Sequence, residues 1–410
     1  MVVLGAHCEG FIGCPVERLD NGLVVPAVDI ETLQSAHQQV VRTQIELSVA
    51  AEELDYDFVV HPENHFDLMT ACAPDPITVQ TAVAAQTEEI RLLQAANSLT
   101  RHDPVRLAER LAVLDVVSDG RVDVGLAKGS GKREAAQFGA EAGSDVFEEY
   151  VDVLRAAWTE PTLSHHGETY DAPPEAMAWD DDQEYFYASR DDTGLDPSAL
   201  FAPGEDGTTL AGLPVLPKPV QEPHPQLWRA TASPEGAATA AADGKNVVTF
   251  CGNFEKVAAL VDSYYEAAEA ADWPDRRPAH DGEPFARGFD RARWRGVAIQ
   301  VPLFDTDAAD EDGLDVWKLG QEATLTKQRS ALPPDEQDRV PVDADRVVTE
   351  MDAPIVADTD EIVDQLAELR VVCDADELAL LPSVPVPGLD RDRRYRQLQS
   401  FAASVAPRLA

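Results

Sequence analysis

The sequence predicts an α/β fold, a (β/α)8 TIM barrel with insertions in its βα loops. Three observations predict it. Strand and helix patterns alternate from one end of the chain to the other. Roughly eight βα units fit the length, the number a closed barrel uses. Residues 90–129 spell out one complete βαβ unit, and parallel strands need such crossovers. A doubly wound open sheet is the alternative, because strand order cannot be read from sequence.

The βαβ unit justifies itself residue by residue. Residues 90–96 are a short, mostly apolar run, as a buried parallel strand should be. Asp103 before Pro104 is an N-cap followed by proline at the first helical position. Leu107, Leu111, Leu114 and Val117 recur at helical spacing. Ser118-Asp119-Gly120 ends the helix, with Gly120 free to take positive φ. Residues 121–126 alternate as a strand, and residues 127–132 form a small, basic, glycine-bearing loop able to lay N–H groups on an anion.

The other elements follow in order. Strands are predicted at 2–5, 57–61, 226–231, 246–251, 296–302 and 377–381. Helices are predicted at 36–54, 75–87, 144–159, 234–243, 254–271, 360–370 and 391–406. Two stretches interrupt the alternation. Residues 160–225 are rich in Pro, Gly and Asp with Trp179, Tyr185, Phe186 and Tyr187 embedded, and residues 272–295 are polar and charged. The expectation is one domain over 1–410, with 160–225 as a candidate lid or, alternatively, a solvated surface loop.

Asp and Glu total 75 against 33 Lys and Arg, so the net charge is 33 − 75 = −42. That sign argues against nucleic acid or an anionic membrane as partner. The acid is spread along the whole chain, which points to a high-salt cytoplasm where salt screens self-repulsion. The five cysteines show no CxxC and no metal spacing, fitting a reducing cytoplasm. His165-His166 are adjacent and project differently, and no metal site is expected. No signal peptide or membrane-spanning run is visible.

Several motifs, in order, resemble the bacterial luciferase-like family of flavin-dependent monooxygenases and reductases. Residues 51–60 look like its first helix and second strand. Glu63-Asn64-His65-Phe66 looks like its E-H-H-F segment. His102-Asp103-Pro104-Val105-Arg106-Leu107-Ala108-Glu109, then Leu114-Asp115, then Ser118-Asp119-Gly120-Arg121, look like its most recognisable run. Residues 216–225 resemble its P-x-P-x-Q-x-P-H-P approach to the fifth strand. Ser233-Pro234-Glu235-Gly236 resembles the S-P-E-S turn that follows. The resemblance covers nearly the whole chain.

The resemblance implies FMN, with deazaflavin F420 as the alternative cofactor on the same barrel. Lys128, followed by Gly129, is a cation placed to neutralise the phosphate. The family usually has arginine there, and lysine keeps the charge without the bidentate fork. Ser233 caps a helix whose N-terminus suits a phosphate, with backbone N–H groups of Glu235 and Gly236 as further donors. Ala95 and Ala96 let a flat ring approach, at a point where the family often has a non-prolyl cis peptide. Asn97 then hydrogen-bonds the ring edge. Each of Lys128, Ser233 and Asn97 also has a plain structural reading: surface lysine, helix cap, strand-end turn.

The catalytic positions are Asn64 and His65. In luciferases the first histidine of E-H-H-F is catalytic, and here it is Asn64, which takes no proton but still hydrogen-bonds. His65 keeps a titratable imidazole, unless it is structural. His7, after the first strand, is a weaker candidate in the same mouth. The implied function is an FMN-dependent monooxygenase acting on O2 and a small organic substrate. A flavin reductase is a potential partner and a homodimer the expected assembly. The alternatives are F420-dependent hydride transfer and a non-catalytic flavin-binding paralogue.

Overall fold

The computed structural model describes residues 2–70, 72–129, 132–139, 144–174, 187–190, 192–204, 207–271, 289–290, 295–331, 342–375 and 378–409. Trp179, Tyr185, Phe186, Gly131 and most of 272–295 lie outside the described residues. The chain divides into two compact units. One comprises residues 1–97, 121–127 and 226–410, the other residues 98–120 and 128–225.

The first unit contains the whole barrel. Its strands are β1 (Val2–His7), β2 (Phe58–His61), β3 (Arg91–Gln94), β4 (Val122–Ala127), β5 (Gln226–Ala230), β6 (Asn246–Phe250), β7 (Arg295–Asp305) and β8 (Leu378–Ser383). All pair in parallel in sequence order, and the ring closes through β8 on β1. The registers include Gly5 opposite Phe58, Leu92 opposite Val122, Leu227 opposite Val124 and Val3 opposite Ala379. This is the closed parallel barrel that the alternation predicts, and the open sheet is excluded.

The barrel interior is filled by Val3, Phe58, Val60, Leu93, Trp228, Val248, Ala298, Ala379 and Leu381. Two glycines make room. A Cβ on Gly5 would stand 2.4 Å from Leu381 and 2.5 Å from Phe58, and one on Gly125 would stand 1.6 Å from the Gln94 carbonyl oxygen. Asp123 is buried among these side chains. It accepts from Arg91 Nε at 2.6 Å and from Trp228 Nε1 at 3.1 Å, so neither its charge nor the indole N–H is left unpaired.

The helices of this unit are α1 (Ile30–Glu53), α2 (Pro76–Ala84), α5 (Pro234–Ala242), α6 (Phe254–Ala270), α7 (Gly313–Ala331), α8 (Thr359–Val372) and α9 (Arg391–Ser400). Asp29, Asp75, Asp358 and Asp390 cap α1, α2, α8 and α9, putting carboxylates where helix dipoles favour them. α1 starts at Ile30 rather than 36, because Asp29 accepts from Thr32 N at 2.8 Å and sets the first turn earlier. β1 extends to His7, which puts that histidine on the strand itself.

A larger departure lies between β7 and α8. This βα connection carries α7, the short helix Ala344–Glu350 and the strand Ile355–Ala357, which pairs with β7. Its apolar positions are sparse among acids, so no clear periodicity marks it in the sequence. Trp317 is nonetheless fully buried and packs on Phe304, ring centroids 5.8 Å apart.

The second unit holds α3 (Pro104–Val117) and α4 (Ser144–Thr159). Asp115 is fully buried and accepts from Val220 N, Gln221 N and Gln221 Nε2 at 2.7–3.0 Å. This ties the proline-rich run to α3. Lys218 Nζ donates to the carbonyls of Ala157 and Glu160 at the end of α4. By chain order, residues 160–225 run from a helix into a strand, whereas the excursion after β7 runs from a strand into a helix.

Candidate active site

The carboxyl ends of β1, β2, β3, β6, β7 and β8, together with α7, enclose a cavity of 440 Å³. That is the size and the face at which barrels hold small ligands. Its walls are mostly apolar, with Phe11, Phe250, Leu325 and Met351 among them. A few polar groups converge on it: His7, Glu9, Asn64 and Gln300.

The first loop positions two of these. His7 ends β1, and its Nδ1 lies 3.2 Å from Glu9 Oε1, with both side chains about one-twentieth exposed (4% and 5%). That contact is close but not aligned as a hydrogen bond. Glu9 accepts a well-formed bond from Gln300 Nε2 on β7 at 2.8 Å. Gln300 also reaches Ser383 Oγ on β8 at 3.4 Å. Gly10 then lets this loop lie against the one after β2, since a Cβ there would meet Ala73 at 2.7 Å.

The second loop carries the two predicted catalytic residues, and the structure separates them. Asn64 lines the cavity, with its backbone N–H fixed to the Ala73 carbonyl at 2.8 Å. His65 is not among the lining residues. Its Nε2 lies 3.0 Å from Glu63 Oε1, and Glu63 is buried. Asp67 closes the turn by accepting from Met69 N and Thr70 N, and it pairs with Lys327 from α7. Burial pushes the Asp67 carboxyl up, but Lys327 and the two backbone N–H groups outweigh it and hold it below its ordinary value.

Beneath the cavity His61 ends β2, fully buried. Gln80 Nε2 points at its Nδ1 (3.2 Å), and its Nε2 faces Ser48 Oγ (3.1 Å), whose hydroxyl donates to the Gln44 carbonyl. The network fixes a neutral Nε2–H tautomer. Burial, then the neighbouring His7, brings its pKa down to about 3. His61 is therefore a packing histidine.

The third strand ends as a platform. The Ala95–Ala96 peptide is cis, and Ala95 lines the cavity. Asn97 is fully buried, with Nδ2 donating to Gln94 Oε1 and the Gly125 carbonyl, both at 3.1 Å. Its Oδ1 is buried without a partner. Asn97 thus holds β3 to β4 and leaves one acceptor uncommitted.

The phosphate candidates fall in different units. In the second, the Lys128 carbonyl accepts from Thr100 Oγ1 at 2.8 Å, and Gly129 takes φ +78°. A Cβ on Gly129 would stand 2.8 Å from the guanidinium of Arg101, which is buried and paired with Glu134. In the first, Ser233 caps α5, its Oγ accepting from Gly236 N at 3.1 Å, so the Gly236 N–H is already engaged. Glu235 lies in the first turn of α5. Gly236 is needed for close approach, since a Cβ would stand 2.2 Å from Thr231 Oγ1.

Sequence reasoning missed Glu9, Gln300 and the face of α7 with Gln321 and Lys327. Gln300 was detectable, as a lone amide in the apolar run 297–303. Among the described residues no group of three or more His, Cys, Asp or Glu side chains could hold a metal ion. No helix among them is long and apolar enough to cross a membrane.

A flat aromatic ring fits this chemistry: small residues on one side, apolar walls, and amide and imidazole groups for its polar edge. Residues 23–193 match the family model of luciferase-like monooxygenases. The uncharacterized protein y4vJ of Sinorhizobium fredii is 23% identical over 76% of this chain and 82% of its own. Monooxygenase RslO1 from Streptomyces bottropensis superposes over 100% of both chains with a TM-score of 0.70 at 21% identity. The oxygenating constituent of 3,6-diketocamphane monooxygenase from Pseudomonas putida, in complex with FMN, reaches 0.66 at 17% identity, over 100% of this chain and 99% of that one. An F420-dependent secondary alcohol dehydrogenase reaches 0.62 at 13% identity, over 100% and 99%. Identities this low in the solved structures speak for the fold alone, a (β/α)8 barrel, and residues 23–193 are the part of the chain that resembles luciferase-like monooxygenases.

Proposed function

We propose that this protein is an FMN-dependent monooxygenase that transfers one oxygen atom from O2 to a small organic substrate. The observation that carries the reading is the cavity itself. It is mostly apolar, floored by Ala95 and edged by Asn64, His7 and Gln300. When bound, the flavin supplies the redox chemistry, as such cofactors do. The chain's residues supply binding, orientation and exclusion of water. Asn64 orients a polar group of the bound ring or substrate. Ala95 forms the ring-side surface, with Ala96 next to it in the chain and Asn97 holding β3 to β4 behind it. Two places are candidates for the phosphate, each within its own unit: Lys128 with Gly129, and the start of α5 at Ser233, Glu235 and Gly236, where the Glu235 backbone N–H is the donor that the cap leaves over. His65, held by Glu63, supports the loop that presents Asn64.

The likeness to an FMN-bound neighbour supports FMN. The likeness to an F420-dependent one keeps hydride transfer on F420 as the second reading. The family resemblance supports supply of reduced flavin by a separate reductase, a homodimeric assembly and a cytoplasmic location. The phosphate assignment is tested by titrating Lys128→Ala with FMN and with riboflavin. FMN binding weakens about tenfold, roughly 1.4 kcal/mol, and riboflavin binding does not change. Equal losses for the two ligands contradict it.

A further inference from the structure

We propose that His7 is the proton-transferring group of the cavity, positioned by Glu9, in the role that the usual histidine leaves to Asn64. The proposal deepens the monooxygenase reading and rests on it for the identity of the reaction.

Three observations carry it. Asn64 lines the cavity but has no proton to exchange near neutral pH. His65 keeps an imidazole, but it is paired with buried Glu63 and is not among the cavity's lining residues. His7 is the histidine that lines the cavity among the described residues. Its Nδ1 sits 3.2 Å from Glu9 Oε1. With Nδ1 on the Glu9 side, Nε2 is the ring nitrogen available to a cavity ligand. Glu9 is itself held by Gln300, so the carboxylate is fixed before any ligand enters. A base held by a third group is the arrangement proton transfer needs.

The step is redox-neutral. The Nε2–H bond of protonated His7 breaks and an O–H bond forms on a ligand oxygen that gains charge. The electron pair stays on the imidazole, and solvent returns the proton. The groups around His7 leave Glu9 as its partner. His61 on β2 is neutral, because burial brings its pKa down to about 3. Burial also pushes the Cys8 thiol up, to about 11. Lys327 from α7 is paired with Asp67. Arg394 on α9 borders the small void behind His7 and acts on Glu9 and Cys8.

The test uses the full-length protein in high salt. FMN binding is read from visible absorbance and kcat from oxidation of reduced FMN with cyclohexanone or decanal. At saturating FMN, His7→Ala loses kcat by at least about 100-fold. Free imidazole at 50 mM restores at least about tenfold of that loss, and His7→Gln gains nothing from it. Glu9→Gln lowers kcat at saturating FMN, and Glu9→Asp, which keeps the carboxylate, recovers part of that loss. A kcat for His7→Ala within threefold of wild type, or a loss that imidazole leaves unchanged, overturns the proposal. If wild type binds no FMN, the monooxygenase reading fails, and His7 is then judged by nitrogen-15 shifts of its ring with cyclohexanone. A shift at Nε2 larger than at Nδ1 supports the proposal, and no shift overturns it.

Discussion

At the scale of single residues, two buried polar groups give the clearest predictions. Asp123 neutralises Arg91 and satisfies Trp228 inside the barrel. Asp123→Ala strands a cation and an indole N–H, and destabilises the protein by about 3 kcal/mol or more. Chemical unfolding in the protein's working salt measures this. His61 gives a pH signature. Its pKa falls from 6.5 to about 3 on folding, so the unfolded chain binds the extra proton. Stability from this group is complete above about pH 6.5. It is lost at about 1.4 kcal/mol per unit as pH falls towards 3. His61→Gln removes that slope, which a pH series of melting curves reads directly. The residue scale is also where the sequence was least legible. Asn64 and His65 are adjacent in the chain, and only the fold separates one on the cavity wall from one tethered to Glu63. Glu9 carried no signal, because its meaning depends on Gln300, far along the chain on β7.

At the scale of elements, the eight strands and the helices around them were legible because each had its own local signature: apolar runs, Asp or Ser caps, and Pro at the first turn. Ser233→Ala removes one such cap and costs α5 about 1 kcal/mol, while Ser233→Gly costs a few tenths, both measured by thermal unfolding. Strand contacts are stricter. Gly125→Ala places a methyl against the Gln94 carbonyl, where strands β3 and β4 cannot part without breaking Asn97's bond to Gly125. A loss of about 3 kcal/mol is expected. Helix α7 was not legible. Its buried face rests on Trp317 and Leu325 among many acids and amides, a pattern too sparse for periodicity to detect. Yet α7 supplies the Lys327 that holds Asp67, and with it part of the cavity wall.

At the scale of the whole molecule, the net charge of −42 over 410 residues dominates. Carboxylates at this density repel one another unless salt screens them. The melting temperature should rise with KCl from 0.1 M to 2 M, and one that does not move would remove the high-salt reading. The same charge leaves few cations free to attract an anionic cofactor, which raises the weight on Lys128. The central claim is that this barrel is a flavin site, and binding tests it most directly. FMN and F420 are each titrated into the protein in high salt while the visible absorbance is followed. The account predicts saturable binding of FMN at one per chain. Binding of F420 alone, or of neither cofactor, contradicts it.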